Sequence, residues 1–521
     1  MEKIKVDSIA SMGSIDSIRS MGSIGSTGSM EFTEKYHDEF KEVLSKLIAI
    51  PSIVSEAEGN MPFGAEVNRA LELMLEIAEK DGFDAKNVDN YGGHIDFLGK
   101  NKDEIVAVVG HLDVVPCGEL ENWNTNPFEM VEKDGKFYGR GVLDDKGPLL
   151  AAYYAIKALK DSGFKPNKTI RIILGCDEET EWNGMTYYMK KEKPNVVSGF
   201  SPDADFPAIH AEKGCAQFLI EKKLAPHHSA GICIKSMKGG TVANAVADKA
   251  VAKLQYFISQ DNTMTFDDAY NKILASANSF VPSEGANIER FDGVGNLIDV
   301  EKCEEKNTIL LTAHGVSAHG SRPSLGLNAI SLLMDFLGQL ECENLLCSQS
   351  CDIIDFYNDK LGYFFDGNKM GIGFSDEPSG ELSLNIGLVN WNEEKVSYTI
   401  DIRYPVTVDF QDVCNALLES VVPDEYRIQN LNHMKPLYKP VTDPLIETQM
   451  AAYKEFTGDL AGKPIVIGGG TYARAVPNTV AFGPVMPGRE DICHQPNEYI
   501  HTEDLYMSIK IFARALRELA K

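Results

Sequence analysis

The chemistry-bearing residues fall in short acidic or histidine-containing segments bounded by glycine and proline. In Gly110-His-Leu-Asp-Val-Val-Pro116, His111 and Asp113 are two residues apart, so on a strand both side chains leave the same face. That pairing suits a metal-binding imidazole beside a carboxylate that fixes its environment. Gly139-Arg-Gly-Val-Leu-Asp-Asp-Lys-Gly-Pro148 sets Asp144 and Asp145 side by side in a glycine-bounded turn, where the two oxygens of one carboxylate can bridge two cations. In Gly175-Cys-Asp-Glu-Glu-Thr180 neighbouring side chains diverge, so one of Glu178 and Glu179 can ligate a metal while the other carries a proton. Phe200-Ser-Pro-Asp-Ala-Asp-Phe-Pro207 offers Asp203, and Glu490-Asp-Ile-Cys-His-Gln-Pro-Asn-Glu498 offers His494.

Each segment alone has a plain structural explanation: a solvated strand end, an acidic helix N-terminus favoured by the helix dipole, a charged loop, a late structural histidine. Together they supply two histidines and three carboxylates, with a further carboxylate to spare. Nitrogen and oxygen ligands of this kind suit zinc, with Mn2+ or Co2+ as substitutes. Two such ions ~3.5–4 Å apart are a common hydrolytic arrangement.

The elements that must position these residues read as strand, loop and helix in alternation. Ile105-Val-Ala-Val-Val109 and Thr169-Ile-Arg-Ile-Ile-Leu174 are short, β-branched and apolar, as buried strands are. Gly147 to Leu159 has helical amphipathicity. Phe40, Val43, Leu44, Leu47 and Ile48 share a helical face behind Thr33, a predicted N-cap, and Leu71, Leu73, Met74 and Ile77 mark a second helix ending near Gly82. Alternation of this kind predicts an α/β fold: a mostly parallel-sheet catalytic domain with helices on both faces, its active residues at the carboxyl ends of the strands. From about 213 to 435 the pattern changes. Thr308-Ile-Leu-Leu-Thr312 and Val396-Ser-Tyr-Thr-Ile-Asp-Ile402 alternate with helical stretches such as 325–340, which predicts an inserted α+β lid domain. The α/β pattern resumes at Pro464-Ile-Val-Ile467 and closes with a helix after Thr502. The expected division is a head at 1–29, catalytic parts at 30–212 and 436–521, and a lid at 213–435.

Composition narrows the function. A net charge of −27 over 521 residues repels phosphate backbones and anionic membrane surfaces, which argues against nucleic-acid and membrane partners. No apolar run is long enough to span a bilayer. Residues 1–29 are rich in Ser, Gly and Met, repeat Ser-Met-Gly-Ser-Ile at 11–15 and 20–24, and are expected to be unstructured. They lack the apolar core of a secretory signal, so a cytoplasmic location is expected; Met30 is an alternative start, and a leader is the other reading of the head. The ten cysteines contain no CxxC pair and read as reduced thiols, with Cys342, Cys347 and Cys351 more consistent with packing than with a metal site.

GHLDVVP, GRGVLDDKGP, GCDEETEW, GFSPDADFP, GVSAHGSRP, DIRYP, GGGTYAR and HQPNEY follow one another in the order found in PepV-type bacterial dipeptidases. Over about residues 31–521 the chain resembles these members of the zinc-dependent family that also holds aminoacylases, carnosinases and glutamate carboxypeptidases. The resemblance implies two Zn2+ per chain, one held by His111, Asp144 and Asp203, the other by Glu179, His494 and the shared Asp144. It implies a cis peptide at Asp144-Asp145, Asp113 orienting His111, and Glu178 as general base toward a metal-activated water. From the lid it implies His319 as donor to the oxyanion, with Asn244 beside it; Ala245 stands where relatives often carry Met. It implies Arg403 as a clamp on the substrate carboxylate, and backbone contacts from Gly468-Gly-Gly-Thr471, hence Gly469, Gly470 and Thr471. A substrate clamped at both ends is a dipeptide, and a lid that supplies its own histidine predicts a monomer. The competing readings are an N-acyl-amino-acid amidohydrolase with the same metal centre and a non-catalytic binding protein on the same fold.

Overall fold

The computed structural model describes residues 26–224, 231–257, 264–286, 288–291, 295–490 and 492–521. Its first layer is a six-stranded sheet in the order Asp84–Asn87, Gly93–Phe97, Lys168–Gly175, Asn101–His111, Val196–Ser201, Thr479–Ala481. The last four strands run parallel, and the first two pair antiparallel. The strand Asn101–His111 is buried on both faces. Val106 and Val108 pack with the helices Lys146–Asp161 and Thr502–Leu519, whereas Ile105, Ala107 and Val109 join Met185, Tyr188 and Tyr472 on the other side. That two-sided burial is why the strand reads as a continuous apolar run rather than an alternating one.

Between Gly214 and Met434 the chain builds a separate antiparallel sheet of eight strands. Its core contains residues of the helices Ala329–Cys342 and Ser348–Lys360, with Leu332, Leu333, Phe336, Ile354 and Tyr357 fully buried. Asn328 caps the first of these helices by accepting from the Ile330 and Ser331 N–H groups. The mixed α/β class, with a second unit of strands and helices, is as the sequence predicts.

Four expectations need revision. Thr33 is not an N-cap, because the helix runs Ser26–Ile48. Once its packed face has paid for nucleation, each further upstream turn costs little. Residues 26–29 of the head are therefore helical, while 1–25 lie outside the described residues. Strand Ile465–Ile467 does not rejoin the main sheet; it pairs with Ile209–Glu212 in a small separate sheet. The sixth main strand is Thr479–Ala481, three residues long and too short for a periodicity to show. Finally, Cys233 and Cys347 form a disulfide, with Cα atoms 5.3 Å apart, so the reading of all ten cysteines as thiols does not hold. A separation of 114 residues hides the pair in sequence. They meet because the Cys347 N–H donates to the Ile232 carbonyl at 2.8 Å. Among the described residues, no helix is long and apolar enough to cross a membrane.

Candidate active site

The parallel strands deliver the acidic segments to one edge of the sheet. Strand Asn101–His111 ends on His111, strand Lys168–Gly175 is followed by Glu178 and Glu179, and strand Val196–Ser201 by Asp203. Asp144 immediately precedes Asp145, the N-cap of helix Lys146–Asp161, and is joined to it by a cis peptide as anticipated. His494 comes from the segment before strand Tyr499–His501. Clustering at carboxyl strand ends is the general consequence of parallel α/β topology.

Two triads result, His111–Asp144–Asp203 and Asp144–Glu179–His494, with the ligand atoms of each within 4.8 Å of one another. Asp144 belongs to both. Its Oδ1 lies 3.0 Å from His111 Nε2, and its Oδ2 lies 2.9 Å from His494 Nε2. His111 Nε2 is also 3.7 Å from Asp203 Oδ2, and His494 Nε2 is 3.1 Å from Glu179 Oε2. A tetrahedral zinc with bonds of about 2.0–2.1 Å holds its ligand atoms about 3.3 Å apart, so this spacing fits one ion per triad.

Electrostatics point the same way. Burial and the neighbouring Asp144 push Glu179 up to about 7 and Asp203 up to about 6. Burial raises Glu178 well above the usual carboxylate range, helped by Asp203, Glu179 and Asp144. Burial opposes charging of His494, yet Asp144 and Glu179 drive it up to about 11. The polypeptide alone thus places protonated imidazoles among crowded carboxylates, where cations relieve the same repulsion. Glu179 Oε1 is buried without a hydrogen-bond partner, an acceptor left over for a ligand. The residues present fit a pair of divalent cations.

Asp113 is fully buried, and its two oxygens accept the N–H groups of Glu178 at 3.1 Å and Glu179 at 3.0 Å. Its carbonyl lies 3.0 Å from His111 Nδ1, which leaves Nε2 directed at Asp144. One residue thereby fixes a histidine and both glutamates.

In the eight-stranded unit, Asn244 and His319 are neighbours: the Gly320 N–H donates to the Asn244 carbonyl at 2.6 Å, and Ala245 bridges His319. His319 Nδ1 accepts from the Ser321 backbone N–H at 3.2 Å and lies 2.7 Å from Ser321 Oγ. A backbone N–H can only donate, so Nδ1 is the unprotonated nitrogen and Nε2 carries the hydrogen.

Arg403 lies on strand Lys395–Tyr404. It is 6% exposed and makes a bidentate pair with Asp401 at 2.7 and 2.9 Å, while Nη1 donates to the Gly468 carbonyl at 2.7 Å and to Cys215 Sγ at 2.9 Å. Four of its five N–H donors are thus engaged within the protein. Thr471 is likewise buried, its hydroxyl donating to Glu212 at 3.0 Å. Sequence reasoning missed Arg474, which donates to Glu212 at 2.6 Å and to the Gly469 carbonyl at 2.7 Å. Arg403 and Arg474 therefore hold successive carbonyls of the glycine segment. Across a trans peptide the N–H points opposite to the C=O, so the Gly469 and Gly470 N–H groups face away from the two arginines. Tyr472, also missed, packs edge-on to His111 at 6.2 Å and donates to Asp177 at 3.0 Å.

The chain belongs to peptidase family M20/M25/M40, whose model matches residues 107–518. Peptidases of this family are metal-dependent. "Putative dipeptidase YtjP" of Bacillus subtilis is 35% identical over 497 residues, covering 94% of this chain and 99% of that protein. A Staphylococcus epidermidis protein named "Putative dipeptidase" is 33% identical over 494 residues, covering 93% and 98%. Among solved structures, human carnosine dipeptidase 1 superposes with a TM-score of 0.55 at 16% identity, covering 95% of this chain and 98% of that one. Aminoacylhistidine dipeptidase from Vibrio alginolyticus gives 0.53 at 14%, covering 92% and 96%. At such identities the structural matches speak for the fold.

Proposed function

We propose that this chain is a cytoplasmic two-zinc dipeptidase, in which residues 213–435 form the lid over the catalytic parts 30–212 and 436–521. The observation that carries the reading is the sharing of Asp144 between two nitrogen–oxygen triads beside a half-buried Glu178. His111 and Asp203 would hold one ion, Glu179 and His494 the other, with Asp144 between them; Mn2+ or Co2+ suit the same donors.

A bound pair of divalent ions would supply Lewis acidity for the attacking water and the scissile carbonyl. Glu178 accepts the water's proton at its carboxylate and returns it to the leaving nitrogen. Asp113 holds Glu178 and Glu179 through their N–H groups, so base and ligand keep a fixed separation. His319 donates Nε2–H to the developing oxyanion, with its tautomer set by Ser321 and Asn244 alongside. The substrate carboxylate is met by the N–H groups of Gly469 and Gly470, while Arg403 and Arg474 hold that segment from behind. A carboxylate site at one end and the metal centre at the other limit the substrate to a dipeptide with free termini. The relatives' names support the same substrate class.

The test is turnover of unblocked dipeptides against N-acetyl and N-succinyl amino acids, with and without a chelator. Chelator-sensitive hydrolysis of the free dipeptides is expected. Turnover confined to the acylated compounds would make the chain an amidohydrolase instead.

A further inference from the structure

Arg140 and Glu498 form an ion pair 2.6 Å long, 1% and 0% exposed, within the core of the catalytic part. Both oxygens of Glu498 are used. Oε2 accepts from Arg140 Nη1, and Oε1 lies within hydrogen-bonding distance of the N–H groups of Gly141 at 3.0 Å, Leu143 at 2.9 Å and Asp144 at 3.3 Å. The Glu498 carbonyl accepts the Gly139 N–H at 3.1 Å. Arg140 Nη2 reaches the carbonyls of Pro116 at 3.5 Å and His494 at 3.4 Å, and the Trp123 ring covers the guanidinium at 5.2 Å.

Three segments that carry candidate ligands therefore converge on one buried pair: 110–116 with His111, 139–145 with Asp144, and 490–498 with His494. His494 itself has a left-handed backbone, φ 64°, which a non-glycine residue adopts only when its surroundings impose it. A buried ion pair gains little net stability over apolar side chains of the same volume. Stability alone is thus a poor reason for one here.

We propose that Arg140 and Glu498 are positioning residues that set Asp144 against His494, and so set cation affinity at the Asp144–Glu179–His494 triad. The inference rests on the metal-centre reading above. The pair touches no reacting atom. Its effect runs through the backbone of Asp144 and the carbonyl of His494. Two of the three ligands of that triad hang on it, against one directly tethered ligand, Asp144, in the other triad, so the two ions should respond unequally.

The full chain is freed of metal, then titrated with Zn2+ against a chromophoric chelator and separately with Co2+, following the visible absorption of each ion. Glu498→Gln keeps an acceptor oxygen but removes the charge. It should weaken one of the two Zn2+ ions by about 10–100-fold, the range for partners behind a metal ligand, and the other by less. Its Co2+ spectrum should change more at that ion than at the other. Asp96→Asn, which weakens the Arg171–Asp96 pair of the same sheet, is the control for general destabilisation. It should lower thermal stability with both affinities retained. If Glu498→Gln yields no folded protein, Arg140→Lys carries the same measurement, since it keeps the charge and loses the fork. Parental affinities and spectra in the variant, or losses matched by Asp96→Asn, overturn the proposal. A parent chain that binds no Zn2+ overturns it together with the metal-centre reading. A parent that binds two ions yet leaves dipeptides intact sinks only the substrate assignment.

Discussion

One methyl group on Gly468 should separate the fold of this protein from its catalysis. Gly468 has a backbone φ outside the left-handed region, so alanine is conformationally acceptable there; only space forbids it. A Cβ at this position would lie 2.6 Å from Ser321 Cβ and 3.3 Å from Ser321 Oγ. Carbon atoms in contact sit about 3.5–4.0 Å apart, so Ser321 or the glycine segment must give by about 1 Å. Either shift reaches the proposed site, because Ser321 fixes His319 Nδ1 and the Gly468 carbonyl is held by Arg403. Overpacking of this size costs about 1–3 kcal/mol, which is roughly 5–150-fold in kcat/KM when the shifted groups act in the transition state. The assay is steady-state hydrolysis of a dipeptide by Gly468→Ala, with Tm measured alongside. The Ser321→Gly background provides the check, for there the added methyl has room and its penalty should vanish. Parental kcat/KM in Gly468→Ala, or an undiminished penalty in the Ser321→Gly background, would refute the reasoning.

Glu178→Ala should retain its zinc by metal analysis while kcat falls about 10²–10⁴-fold; near-parental turnover would remove the general-base assignment. Arg474→Met leaves the fully buried Glu212 without its ion-pair partner, so thermal unfolding should show a loss of about 3–5 kcal/mol, largely recovered in Arg474→Met/Glu212→Gln. His94, hydrogen-bonded to Tyr188 at 3.0 Å, is pushed down to about 3 by burial and by Arg171. Its unfolded value is near 6.5, so the unfolded chain binds the extra proton between those limits. Stability from this group is present above pH ~6.5 and is lost as pH falls toward 3. The span is up to about 5 kcal/mol, and His94→Gln should flatten that limb of a denaturation-midpoint profile.

The sequence discloses the parallel core because Ile105–Val109 and Thr169–Leu174 are buried on both faces and read as unbroken apolar runs. Their ends mark where His111, Glu178 and Glu179 emerge, so this part of the candidate cluster is legible in the sequence. What a residue type grips is not. DIRYP shows Asp401 and Arg403 two apart on one strand face, but only the register with the neighbouring strand sets Arg403 against Cys215, and only the tertiary fold brings the Gly468 carbonyl to it. Arg140 and Glu498 stand in recognised motifs 358 positions apart, and nothing local signals that they pair. The Cys233–Cys347 bond is hidden for the same reason. Contacts between distant segments are decided by packing, which leaves no periodicity behind.

The central claim is that two cations share Asp144 and that both are needed. Adding Zn2+ stepwise to the metal-free chain while following dipeptide hydrolysis tests it most directly. Activity should rise to a plateau at two equivalents per chain in the parent, and Asp144→Asn should bind neither ion tightly and stay inactive. Full activity at one equivalent, or hydrolysis that survives complete metal removal, would contradict it.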